Sequence, residues 1–154
     1  MSCSHEHAAF PATVSTSAKP LYTVVDDIRV SLARSGIRKL VIVNGHGGNY
    51  VLSNIVQEAN VDGPAVSLFP LGAAGEAETS ILLHAAPELV RDGFTDADHD
   101  CGPRPFLLVQ GMRMYPKSGV IGYPSHATAE KGKAVLESLR SGFVAHLDAL
   151  SETL

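Results

Sequence analysis

The run Lys39-Leu40-Val41-Ile42-Val43, followed at once by Asn44-Gly45-His46-Gly47-Gly48-Asn49, most constrains what this chain can fold into. A short, β-branched, uninterrupted apolar run suits a strand covered on both faces, and Asn-Gly marks where it must leave the sheet. Leu52, Ile55, Val56 and Ala59 then recur at helical spacing, so the segment reads as strand, glycine loop, helix. Upstream, Leu21, Val24, Val25, Ile28 and Leu32 mark a helix that Gly36 should stop. Downstream, Pro64 introduces a second strand over Ala65 to Phe69. Glu76 to Ala86 continues as a helix with Ile81, Leu82 and Leu83 on its buried side. Strands separated by helices of this length imply βαβ units, and hence an α/β fold with a mostly parallel sheet and helices on both faces. Residues 91–125 read as loop-rich, with one strand near Phe106 to Val109. From Ala129 to Leu150 the positions Val135, Leu136, Leu139, Phe143, Leu147 and Leu150 form one face of a long helix, with Thr128 as N-cap and Glu130 in the first turn.

At 154 residues the chain has room for one domain, 1–154, and its 45% hydrophobic content is enough to build a core. Twelve Lys and Arg against 16 Asp and Glu give a net charge of −4 with no basic run, which disfavours nucleic acid and anionic membranes as partners. The apolar runs fall far short of the ~20 residues that a membrane-spanning helix requires. Met1-Ser-Cys-Ser-His-Glu-His has neither a basic nor an apolar leader region, so a cytoplasmic location is expected. Cys3 and Cys101 stand apart with no Cys-x-x-Cys pair, and reduced thiols are expected.

The chemistry concentrates in the Asn44–Asn49 loop. In open α/β sheets ligands gather at the carboxyl ends of the strands, where the next helix presents free backbone N–H groups. Glycines let the backbone turn sharply and keep other side chains clear of His46, leaving an imidazole suited to metal ligation or proton transfer. A glycine-rich turn with an incidental surface histidine is the plain alternative. A dinucleotide fingerprint fails because Tyr50 occupies the third glycine position, and no Gly-Lys-Ser/Thr follows. Asp96-Ala-Asp98-His-Asp100 imitates the opening of a calcium loop but continues with Cys101 and reaches Leu107 where glycine and glutamate are required.

Four segments in order carry a family resemblance. They are Cys3-Ser4-x-Glu6-His7-x-x-Phe10-Pro11-Ala12-Thr13, the Asn44–Asn49 loop, Gly75-Glu76-Ala77-Glu78-Thr79-Ser80, and Ser118 to Pro124 with Ala127 to Gly132. Together they resemble the creatininase (creatinine amidohydrolase-like) family. The resemblance implies a three-layer α/β/α fold and a metal-dependent hydrolase that cleaves a C–N bond of an amide, cyclic amide or formamide, often as a homo-oligomer. It also implies a divalent metal (zinc, manganese or iron) and a small-molecule amide substrate.

Carried across residue by residue, His46 matches a metal-binding histidine. Glu78 matches a carboxylate ligand in members with Gly-His-Gly-Gly, since the glutamate that creatininase itself places two residues after the histidine is Gly48 here. Ser4 matches a position that contacts substrate. Asn44, Gly45, Gly47, Gly48 and Asn49 complete the motif loop.

The family also has an earlier strand with Glu-x-His-Gly-x-His-Leu-Pro and a bridging aspartate. This chain begins after that point, so it is expected to be a partial, N-terminally truncated member. Ala73 stands where the family commonly has a histidine. His126 is a candidate replacement ligand, and His5, Glu6 and His7 cluster near the start. With an incomplete metal site the chain is expected to be weak or inactive by itself, and activity is expected to need a partner chain that supplies ligands or an upstream coding segment. A non-catalytic binding or assembly subunit is the contrasting expectation, and a phosphate-binding α/β domain a further one.

Overall fold

A computed structural model describes residues 2–72, 75–116 and 118–151 of the chain. In chain order its longer elements are α1 (Ala18–Arg34), β1 (Leu40–Asn44), α2 (Val51–Ala59), β2 (Val66–Pro70), α3 (Glu76–Ala85), α4 (Leu107–Gln110) and α5 (Ala129–Ser151), with single 3-10 turns between several of them. The chain divides into two compact units. One comprises Met1–His5, Val14–Leu71 and Ser141–Leu154; the other comprises Glu6–Thr13 and Gly72–Arg140.

The first unit carries the sheet, so the α/β class expected from the sequence holds. β1 and β2 pair in parallel with Leu40 opposite Val66 and Asn44 opposite Pro70, and α2 makes the crossover between them. The helix α1 ends as its sequence requires. Gly36 adopts φ 79°, its N–H bonds the Ala33 carbonyl and the Ile37 N–H bonds that of Leu32, which together satisfy carbonyls the helix leaves unpaired. Leu21 and Val25 of α1 pack with Leu52 and Ile55 of α2 as a buried cluster flanked by Ile42 and Leu68 of the strands. Phe69 is buried between the sheet and the end of α5, with the Phe143 ring edge-on at 5.3 Å. Asn60 closes the α2–β2 turn, accepting the Ala65 and Val66 N–H groups on Oδ1 and donating from Nδ2 to the Val66 carbonyl, each at 2.8 Å.

The second unit packs α3 against the first half of α5 through small residues. Ser80 is fully buried, and its Oγ accepts the Thr128 N–H at 3.2 Å. Gly132 lies against the Ser80 carbonyl so closely that a Cβ there would strike it. Thr128 does cap α5, its Oγ1 accepting the Lys131 N–H at 3.2 Å. Gly75, before α3, has φ 101°, and a Cβ on it would lie 2.6 Å from the Ile121 carbonyl, so glycine is required there on two counts.

Three sequence expectations are corrected. Phe106 to Val109 is not a strand: the Val109 and Gln110 N–H groups both bond the Phe106 carbonyl, which winds Leu107–Gln110 into a helical turn ended by Gly111 at φ 74°. A four-residue apolar run carries no period that separates strand from helix. In α3 the buried position is Ser80, while Leu82 is 40% exposed, because the close approach at Gly132 selects a small side chain. In α5, Leu147 is likewise exposed, and the apolar stripe reaches full burial at Leu150.

Candidate functional site

The loop after β1 is held open by its own polar residues. Asn44 Oδ1 accepts the His46 N–H at 3.2 Å and the Asn49 Nδ2–H at 3.0 Å, so one side-chain oxygen spans the loop from its first residue to its last. The Asn49 N–H reaches the His46 carbonyl, and Asn49 in turn receives the Leu52 N–H as α2 begins. Neither Gly45 nor Gly47 has positive φ. Gly47 and Gly48 make the turn that the Asn49 N–H closes, and the glycines leave room: chain neighbours aside, no heavy atom of the described residues lies within 4 Å of a Cβ placed on Gly47, and on Gly45 it would meet the Leu71 side chain at 3.7 Å.

Against this loop lies the segment Ser2-Cys3-Ser4. Asn49 Oδ1 accepts the Cys3 N–H at 2.8 Å and the Ser2 hydroxyl at 3.2 Å. On the other side the Ser2 carbonyl accepts the N–H and hydroxyl of Thr16, and the Ser4 carbonyl accepts the Ser15 hydroxyl at 2.9 Å. The segment is thereby fixed on both sides, and it delivers the Ser4 Oγ to 2.5 Å from His46 Nε2. Ser4 is 4% exposed and His46 half-buried. A short bond to a buried hydroxyl orients the ring as a partner of a ligating histidine does.

Of the residues singled out in the sequence, Ser4, Asn44, Gly45, His46, Gly47, Gly48 and Asn49 are all in this first unit. Glu78 and His126 belong to the second. Glu78 is exposed in the first turn of α3, where a carboxylate suits the helix N-terminus. His126 is exposed, its ring stacked on Tyr123 at 5.3 Å and 15°, and its carbonyl accepts Lys131 Nζ. Ala73 lies outside the described residues. In the same unit Glu6 Oε1 stands 3.9 Å from His7 Nε2. Glu6, His7 and His46 each offer a carboxylate oxygen or imidazole nitrogen as donor, the atom types that zinc and manganese accept.

The acidic loop that imitates a calcium site is instead spent on internal hydrogen bonds. Asp98 accepts the Ser125 hydroxyl at 2.6 Å and its N–H at 2.9 Å, which hold its carboxyl below the ordinary aspartate value of 3.8. The Gly102 N–H and then the Tyr123 hydroxyl do the same for Asp100, and Asp100 correspondingly raises Tyr123. Lys131 lowers Glu76 by a 2.6 Å bond. Since folding depresses these carboxyl pKa values, the stabilisation is complete above the ordinary carboxylate range and is lost as pH falls through the lowered values. Amide exchange at Ser125 and Gly102, corrected for intrinsic rates, is therefore expected to accelerate as pH drops below 3.8. Asp98→Asn should remove that acid response at Ser125; exchange at Ser125 that ignores pH in the parent would contradict the assignment.

Sequence reasoning found the loop and His46 but missed the grip of Asn49 on Ser2 and Cys3. The available signal was the pair of amides bracketing the glycines, since an amide can donate and accept at once.

Comparison with known proteins identifies the family and the fold. The family model for creatininase, described as creatinine amidohydrolase, matches residues 1–147. The chain is 33% identical over 147 residues to a mycofactocin precursor peptide peptidase of Mycobacterium tuberculosis, covering 88% of this chain and 58% of that protein. It thus spans less than two thirds of that relative's length. It is 29% identical over 175 residues to creatinine amidohydrolase of Pseudomonas putida, covering 93% and 66%. Among solved structures, a creatinine amidohydrolase (creatininase) superposes with a TM-score of 0.75 at 24% identity over 94% of this chain and 69% of that one. A structure described as creatininase Mn gives 0.70 at 26% identity over 89% and 66%. No helix among the described residues is long and apolar enough to cross a membrane. With the fold, the ordered motifs and the match over nearly its whole length in agreement, the chain belongs to the creatininase family.

Proposed function

We propose that this chain serves metal-dependent hydrolysis of a C–N bond in an amide, cyclic amide or formamide, with His46 as a metal ligand. The carrying observation is the Ser4–His46 bond at the carboxyl end of β1, which presents a ring of fixed orientation beside the side-chain-free positions Gly45 and Gly47. Glu78 is proposed as a second ligand and Ser4 as a group near the substrate. Glu6, His7 and His126 supply further donors in the same chain. When bound, zinc, manganese or iron supplies Lewis acidity toward a carbonyl oxygen.

The chain's own residues bind, orient and clear space. Asn44 ties the loop to the strand end, the glycines leave room for a flat amide, and Ser4 restrains the imidazole. The proposal includes a cytoplasmic setting and association with further copies or a partner chain. Phe106, Leu108, Val109 and Met114 of the second unit are all largely exposed, which supports that association.

The test is metal analysis of the 154-residue chain after dialysis against zinc or manganese, with creatinine and a formamide assayed alongside. Weak retention that His46→Ala abolishes is expected, with no turnover above background from the chain by itself. Retention unaffected by His46→Ala would sink the ligand assignment, and two tightly held ions per chain would overturn the expectation of weak binding.

A further inference from the structure

We propose that Asn49 is a positioning residue for His46, acting through Ser4, an inference that rests on the reading of His46 as a metal ligand. The chemistry is specific to an amide. Asn49 donates from Nδ2 to Asn44 Oδ1 at 3.0 Å, which anchors it to the end of β1. Its Oδ1 accepts from Cys3 and Ser2, which lie 46 and 47 residues away in sequence. Both ends are in use, in opposite senses. An aspartate keeps the acceptor but sets a carboxylate against Asn44 Oδ1, and a serine is too short to bridge the two. Asn49 is buried at 8% exposure, so water does not readily replace a lost partner.

The consequence falls on Ser4. Thr16 and Ser15 hold the segment by the carbonyls of Ser2 and Ser4, whereas Asn49 holds it from the loop side through the Cys3 N–H and the Ser2 hydroxyl. These contacts from two sides define how far the Ser4 hydroxyl extends toward the loop. Without Asn49 the segment loses its polar tie to the loop, and the 2.5 Å approach of Ser4 Oγ to His46 Nε2 loses that support. A ligand ring whose second contact is loosened binds its metal less well, typically by ~10- to 100-fold.

The experiment follows the ring nitrogens of His46 by NMR in metal-free, nitrogen-15-labelled protein, assigned by difference with His46→Ala, and measures zinc affinity by titration calorimetry. Asn49→Asp and Ser4→Ala are compared with the parent, with thermal unfolding as a check on folding. If Asn49→Asp does not fold, Asn49→Ser takes its place. Both variants are expected to displace the His46 ring signals and to weaken zinc at least 10-fold. A folded Asn49 variant with His46 signals at the parent positions overturns the proposal, as does Ser4→Ala with unmoved signals. Displaced signals in a protein whose parent takes up no zinc would uphold the positioning role while defeating the metal reading.

Discussion

Gly132→Ala is expected to destabilise the protein by about 3 kcal/mol and to lower Tm by roughly 6–12 °C, although alanine is the better helix former. Propensity by itself predicts a gain of up to about 1 kcal/mol for this exchange within a helix, less in the first turn of α5 where Gly132 lies. The new Cβ, however, points at the Ser80 backbone carbonyl, and a backbone group cannot swing aside as the tip of a side chain can. Relief requires α3 and α5 to move apart, which strains the bond from the Thr128 N–H to Ser80 Oγ and opens a gap around a fully buried residue. Gly142 of the same helix is the control. A Cβ there would lie 3.6 Å from the Phe69 ring, an ordinary contact, so Gly142→Ala should be neutral or stabilising. Urea unfolding of both variants separates the two causes. An increase in stability for Gly132→Ala would refute the close crossing.

Asn60→Ala is expected to cost about 3 kcal/mol, the sum of three lost hydrogen bonds at about 1 kcal/mol each. The side chain sits where α2 has ended and β2 has not begun, and there it substitutes for a strand partner. It takes the N–H groups of Ala65 and Val66 and returns one to the Val66 carbonyl. Val66 is buried, so its amide has poor access to water once the partner is removed. The same variant should expose the Ala65 and Val66 amides to exchange while leaving the Leu21–Ile55 helix pair protected. A loss below about 0.5 kcal/mol, the range of ordinary surface substitutions, would show that the turn is held by other means.

What could be read in advance divides along the range of the interactions. β1, α2 and the stop at Gly36 were legible because strand composition, helical spacing and the Schellman geometry depend on residues within a few positions of one another. Thr128 was legible for the same reason. Leu82 and Leu147 were misplaced because helical spacing names a stripe but not how much of it a neighbour covers. Ser80 was overlooked because its burial follows from Gly132, 52 positions later. At the candidate site, His46 announced itself through its glycines: Gly47 and Gly48 make the turn that the Asn49 N–H closes onto the His46 carbonyl, and Gly45 and Gly47 also leave space. The Asn49 grip on Cys3 joins residues 46 apart, and no local pattern encodes it.

The order in which these contacts close gives the loop a kinetic character of its own. The β1–β2 ladder joins Leu40 to Val66, and closing a loop of that size costs about 3 kcal/mol of chain entropy, which five paired residues and the helix cluster offset together. The Ser2–Ser4 segment brings no ladder; a handful of hydrogen bonds hold it, together with the Cys3 side chain packed against the Leu21–Ile55 cluster. Its hydrogen bonds to Asn49 presuppose the loop after β1, so it docks once that loop is in place, and Cys3 couples its release to the helix cluster. The orientation of His46 then depends on how often this segment opens locally, an opening that the Cys3 contact links to the helix cluster.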